Sequence, residues 1–107
     1  MDKRKIKEYK SIKTAAAMLE KELQELQTFQ EPDQELITKL QQREAEYNNT
    51  LQEIENWLED IKDPVIHTIF RMKLYENASD LEISEALNYS RSMITRLKNE
   101  YLNGGTP

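Results

Sequence analysis

Apolar residues recur every three or four positions through the first half of this chain, and that period allows one kind of backbone. They stand at Ile6, Tyr9, Ile12, Ala16, Leu19, Leu23, Leu26 and Phe29, a single stripe along an α-helix. Ala15-Ala16-Ala17 adds high intrinsic helix propensity. The stripe breaks at Glu31-Pro32-Asp33. Proline has no N–H to donate and pushes its predecessor out of the helical region, so a turn is expected there. Asp33 is a suitable cap for a second helix, expected over 34–62. That helix carries Leu36, Leu40, Tyr47, Leu51, Ile54, Leu58 and Ile61, with Ile37 and Trp57 beside the stripe. Glu44 fills the missing step, and Asn48 and Asn49 weaken the centre. The last four members of the stripe have the 3-4-3 spacing of heptad a and d positions. Two helices of similar length joined by a short turn predict an antiparallel hairpin over 1–62. The stripes can close on each other within one chain or on a second copy.

Composition narrows the choice further. The 107 residues hold 2 Gly and 3 Pro, too few for the many turns of a sheet protein, and 33% are charged. A chain this short buries a limited core, so a long hairpin leaves apolar surface for a partner, and a homodimer is expected. There is no cysteine, which excludes disulfides and thiolate metal sites and is compatible with a reducing interior. No apolar run approaches the roughly 18 residues of a membrane span. The start, MDKRKIKEYK, lacks the apolar stretch of a secretory signal, so the N-x-S/T triplets at Asn48, Asn77 and Asn88 are read as chance. The net charge of −5 is uneven. Residues 1–13 carry six basic and two acidic groups, residues 14–63 four and thirteen, and residues 64–107 five of each. An acidic middle repels phosphate, so any DNA contact must come from an end.

Asp63-Pro64 opens a third segment, with Asp63 as cap and Pro64 in the first turn, where a missing N–H costs nothing. Val65, Ile66, Ile69, Phe70, Met72 and Leu74 then form a short apolar helix to about Tyr75, and Glu76-Asn77-Ala78 makes a turn. Ser79-Asp80-Leu81-Glu82 fits the capping box, with Ala78 and Ile83 as a weak staple. The helix that follows is expected to bury Leu81, Ile83, Ala86 and Leu87, with the small Ser84 where helices cross closely. Asn88 tolerates the left-handed conformation of a tight turn. Tyr89 is expected to plug between helices, and Ser90 to cap the last helix. That helix is expected to bury Met93, Ile94, Leu97 and Tyr101. It would expose Arg91, Ser92, Thr95, Arg96, Lys98 and Asn99.

This order of parts is that of a helix-turn-helix over 63–102. With Ser90 it gives seven candidate DNA-binding residues. Arg91 and Arg96 suit guanine edges or phosphates, and Ser90, Ser92 and Thr95 suit phosphates or bases. A plain three-helix bundle uses the same bend without DNA. The cations on the second helix, against Asp80, Glu82 and Glu85 on the first, favour the DNA reading.

The stretch DPVIHTIFRMKLYENASDLEISEALNYSRSMITRLKNEYL resembles region 4 of sigma-70-type factors. The family core x-x-E-I-A-x-x-L-G-x-S-R-x-x-V-x-R is met here by LEISEALNYSRSMITR, from Leu81 to Arg96. Ser84 stands for the usual Ala and Asn88 for the usual Gly. In layout the chain is similar to small phage and prophage regulators of the ArpU and RinA type, a sigma region 4 module behind a charge-rich helical segment. The resemblance covers 63–102, and 1–62 match only in style. It implies transcriptional control of phage late genes in the cytoplasm of a bacterial host.

Three function classes come into question for such a chain. The first is a DNA-binding regulator with helix 90–102 in the major groove of double-stranded DNA. Lys3, Arg4, Lys5, Lys7, Lys10 and Lys13 either add phosphate contacts or simply form a solvated helix start. The second is an adaptor for RNA polymerase or a small terminase-like packaging subunit, told apart by stoichiometry. The third is an enzyme, for which the chain offers little. His67 is the only histidine, without evident partners for a triad or metal site. Trp57 reads as packing, and the many helix-face carboxylates as wet surface. Neither catalysis nor a cofactor is expected. Both glycines lie in the tail, 103–107, expected to be disordered.

Overall fold

The computed structural model describes residues 1–104, so most of the expected disordered tail lies outside the described residues. Within them the chain is all-α, with five helices and no strand: α1 (Lys3–Gln27), α2 (Gln34–Glu59), α3 (Pro64–Tyr75), α4 (Asp80–Leu87) and α5 (Arg91–Leu102). Each begins on a side-chain oxygen that takes an otherwise unpaired backbone N–H. Asp2 accepts from the Arg4 amide at 2.8 Å, and Asp33 from Leu36 at 3.1 Å. One oxygen of Asp63 accepts from both Val65 and Ile66, at 2.8 and 3.1 Å. At α4 the capping box is complete: Ser79 Oγ accepts from the Glu82 amide and the Glu82 carboxylate from the Ser79 amide, both at 3.1 Å. Ser90 Oγ accepts from the Met93 amide at 3.2 Å.

α2 stops three residues before its expected end. Asp63 must be extended (φ −70°, ψ 121°) to cap α3 and to precede Pro64. The chain therefore leaves the helix at Asp60, and Ile61, still buried, reaches the core from the connection instead of from the stripe.

α1 and α2 lie alongside each other in opposite directions. Lys5 Nζ sits 2.9 Å from Glu53, and Tyr9 Oη donates to Glu55 at 3.0 Å. Further out, Ala15, Leu19 and Glu22 face the same groove as Leu36, Leu40 and Tyr47. The basic start of α1 thus meets the acidic end of α2. The molecule measures 57 × 25 × 18 Å, with a radius of gyration of 17.8 Å, where a compact chain of this length would have about 13 Å. The excess is the outer part of α1 and α2, which no other helix covers. Phe29, Met18 and Leu36 stay exposed there.

The main core gathers at the inner end. Tyr9 of α1, Ile54 and Leu58 of α2, Ile61, and Ile66, Phe70 and Leu74 of α3 form one buried cluster, against which Leu97, Tyr101 and Leu102 of α5 pack. Trp57 meets Phe70 edge-to-face, with ring centroids 4.9 Å apart, and Tyr101 lies 5.8 and 6.0 Å from the two rings. Such geometry adds to the area buried. A second cluster, Ile69, Ala78, Ile83 and Ile94, holds α3, α4 and α5 together, and Leu97 touches both clusters. Apolar burial therefore runs without interruption across residue 62.

Candidate nucleic-acid interface

The turn from α4 to α5 is set by backbone geometry. Asn88 is left-handed (φ 60°, ψ 39°), and the Tyr89 amide donates back to the Ser84 carbonyl at 3.0 Å. This is the six-to-one bond of a Schellman ending. Asn adopts it at lower cost than most non-glycine residues. Ser84 is buried, and its hydroxyl donates to the Leu81 carbonyl at 2.7 Å.

α4 buries a narrower face than its sequence suggested. Ile83 and Ser84 are buried and Leu87 is half-buried, whereas Leu81 and Ala86 are exposed. At 100° per residue, Ile83, Leu87 and Ser84 point within one 100° arc, while Leu81 and Ala86 fall on either side of it. Met93 and Tyr89 are exposed too. Met93 lies off the arc of Ile94, Leu97 and Tyr101, and the left-handed turn carries Tyr89 outward instead of between the helices.

The seven candidate residues separate into two groups. Arg91, Ser92, Thr95 and Arg96 are exposed on α5, as is Ser90 at its cap. Ser90 Oγ, besides capping, lies 3.3 Å from Ser92 Oγ. Arg96 Nε is 3.8 Å from Glu100 with both side chains about three-fifths exposed, too loose and wet to hold it. Lys98 and Asn99 are only half-buried, not open to solvent as expected.

Lys98 is corrected furthest. Its side chain is 15% exposed and its Nζ donates to Asp80 Oδ1 at 2.6 Å. The other oxygen of Asp80 accepts from Thr95 Oγ1 at 3.2 Å, and Lys73 of α3 approaches Oδ1 at 3.5 Å. One carboxylate in the first turn of α4 thus ties α3 and α5 to it. Burial works to raise the Asp80 pKa. The hydrogen bond and charge of Lys98, the charge of Lys73 and the Thr95 hydroxyl outweigh it, leaving the group below its ordinary value. Sequence reading missed this clamp. Asp80 suits a helix start on its own account, and nothing in a helical period points to a partner 18 residues on.

Of the basic start, Arg4 pairs with Glu8, Lys5 with Glu53, and Lys13 lies 5.8 Å from the centre of the Tyr9 ring. Lys3, Lys7 and Lys10 form no ion pair among the described residues and border a pocket against α3 and α5. Burial, then the hydrogen bond to Glu55 and its charge, raise the Tyr9 pKa. Among the described residues no three His, Asp or Glu side chains converge as metal ligands, and no helix is long and apolar enough to cross a membrane.

The chain matches no protein-family model, no curated protein and no solved structure.

Proposed function

We propose that this protein is a phage or prophage transcriptional regulator. In this reading residues 63–102 form a sigma region 4-like helix-turn-helix, carried by a helical hairpin over 1–62. α5 enters the major groove of double-stranded DNA in the cytoplasm of a bacterial host. The observation that carries the proposal is the solvent-facing row of Arg91, Ser92 and Arg96 on a helix whose other side is fixed by Ile94 and the Asp80 clamp. A rigid helix with a free cationic, hydroxylated face is what reading base edges requires.

The clamp changes the roles of the candidate residues. Arg91 and Arg96 are the base- or phosphate-reading groups, with Ser90 and Ser92 at the helix start for backbone contacts. Lys98 and Thr95 hold α5 in place and act on DNA through its position. The pairing of Lys73 and Lys98 with Asp80 leaves one module few cations for phosphate, so two modules are needed for firm binding. The open groove of about 690 Å³ between the outer parts of α1 and α2, with exposed Met18 and Leu36 at its side, suits a homodimer contact. A two-fold related DNA site follows from that pairing.

The deciding experiment is a gel shift at low salt with Arg91→Ala and Arg96→Ala. Each should weaken binding by roughly 5- to 150-fold, the worth of a base-reading arginine, with helicity unchanged. Parental affinity in both variants removes α5 as the reading face. The same exposed groove favours a second reading, a packaging subunit of small terminase type or an RNA polymerase adaptor. Light scattering separates packaging from regulation: a ring of eight or more chains supports packaging, and a monomer or dimer supports regulation.

A further inference from the structure

Lysines from three helices of this acidic chain line one pocket. Lys3, Lys7 and Lys10 on α1 share a pocket with Lys73 of α3 and Lys98 of α5. No Asp or Glu lines it. Asp80 pairs with Lys73 and Lys98, and Lys3, Lys7 and Lys10 have no carboxylate partner among the described residues. A recess with lysines on its wall and no carboxylate attracts anions. The net charge of the protein is −5, so the concentration is local and runs against the overall balance.

The pocket has a second character. Its volume is about 370 Å³, and its wall includes Ile6, Leu74 and Leu102, with Asn77 and Asn99 supplying amides. Apolar walls with a few convergent polar groups are the usual make-up of a small-molecule site, and the volume lies at the lower end of the range for such sites. Inorganic ions gain nothing from an apolar wall. A duplex strand lies across a surface and does not fill a recess.

We infer that this pocket binds a small phosphomonoester with a flat or apolar body, of the size of a nucleoside monophosphate. The phosphate dianion sits among Lys3, Lys7 and Lys10, where compact ammonium groups act as point charges. Asn77 and Asn99 hydrogen-bond the body, and Leu74 and Leu102 cover it. The ligand joins α1 to the far end of α5, one turn beyond Lys98. The inference concerns α1, α3 and α5 and stands independently of DNA binding.

The test is an NMR titration of the full chain with AMP, inorganic phosphate and adenosine, without DNA. AMP should bind saturably with a Kd below about 1 mM, an affinity typical of a weak specific ligand. Amide shifts should centre on Lys7, Asn77 and Asn99, and AMP should bind several-fold tighter than phosphate or adenosine. The Lys7→Glu/Lys10→Glu double variant should weaken AMP at least tenfold while keeping its helicity. Lys39→Glu, on the hairpin away from the pocket, should not. Failure of AMP to saturate, equal affinity for AMP and inorganic phosphate, or indifference to the double charge reversal overturns the inference. So does a result in which these amides respond to a duplex but not to AMP, because the lysines then belong to a DNA-facing surface. Loss of DNA binding in Arg91→Ala leaves all these outcomes readable.

Discussion

Replacing Asp80 by Ala should destabilise the protein more than any other change to a charged side chain outside the α1–α2 contact. The Asp80 side chain is 25% exposed and Lys98 15%, so solvent screens the pair only partly. A hydrogen bond to a charged group contributes about 1.5–3 kcal/mol, against roughly 0.5–1.5 for a neutral one. The 2.6 Å bond to Lys98 belongs to the first class, and the 3.2 Å bond from Thr95 brings a charged acceptor to a neutral donor. Lys73 at 3.5 Å adds little. Allowing for partial exposure, the loss should be about 2–3 kcal/mol, a large share of the 5–15 kcal/mol that holds a typical domain. Urea unfolding measures it directly. A double-mutant cycle with Lys98→Met isolates the pair, and a coupling of about 1–2 kcal/mol is expected.

Acid titration gives an independent reading of the same clamp. The folded pKa of Asp80 lies below its unfolded value, so as pH falls the unfolded chain takes up the proton first. The contribution is complete above the unfolded carboxylate range and is lost as pH drops through the folded pKa. Asp80→Asn should remove that part of the acid limb. A coupling below about 0.5 kcal/mol, the level of an exposed pair, together with an unchanged acid limb would refute the clamp.

Other outcomes are as definite. Asn88→Gly should hold or slightly raise stability, because glycine enters the left-handed turn freely, whereas Asn88→Val should lower it; thermal melts of the two variants rank them. Phe70→Ala should cost about 3–5 kcal/mol in chemical denaturation, since the ring is 1% exposed and packs against Trp57. Tyr9→Phe removes the bond to the charged Glu55 carboxylate and should cost about 1.5–3 kcal/mol in the same assay, with the α-helical circular dichroism retained.

Features set by neighbours along the chain were legible in the sequence. The caps at Asp33, Asp63, Ser79 and Ser90 and the left-handed Asn88 each depend on residues within three positions, and each stands where the residue types place it. Helical period also placed Ile54, Leu58, Ile83 and Ile94 inside. It was less reliable at the margins of a stripe. Leu81, Ala86 and Met93 are apolar but lie beyond the arc that a neighbour covers, and an eight-residue helix has room for little more than one buried row. Contacts between distant segments were not legible. Asp80 with Lys98, and Lys7 with Lys73 in one pocket, depend on how whole helices are laid together, which a local pattern does not encode. The exposure of Ser90, Arg91, Ser92, Thr95 and Arg96 was therefore legible in outline. The division between residues that face outward and those that fasten α5 came only with the fold.

Trp57 is the only tryptophan of the chain, and its ring rests on Phe70 and Tyr101. That makes it a natural fluorophore placed where α2, α3 and α5 meet. Its emission should track the packing of α3 and α5 on α2, and fraying at the remote tip of α1 and α2 should pass unseen. A dye or a second indole at Phe29 would light up the other extremity, letting the two ends of the rod be watched melting together or one after the other.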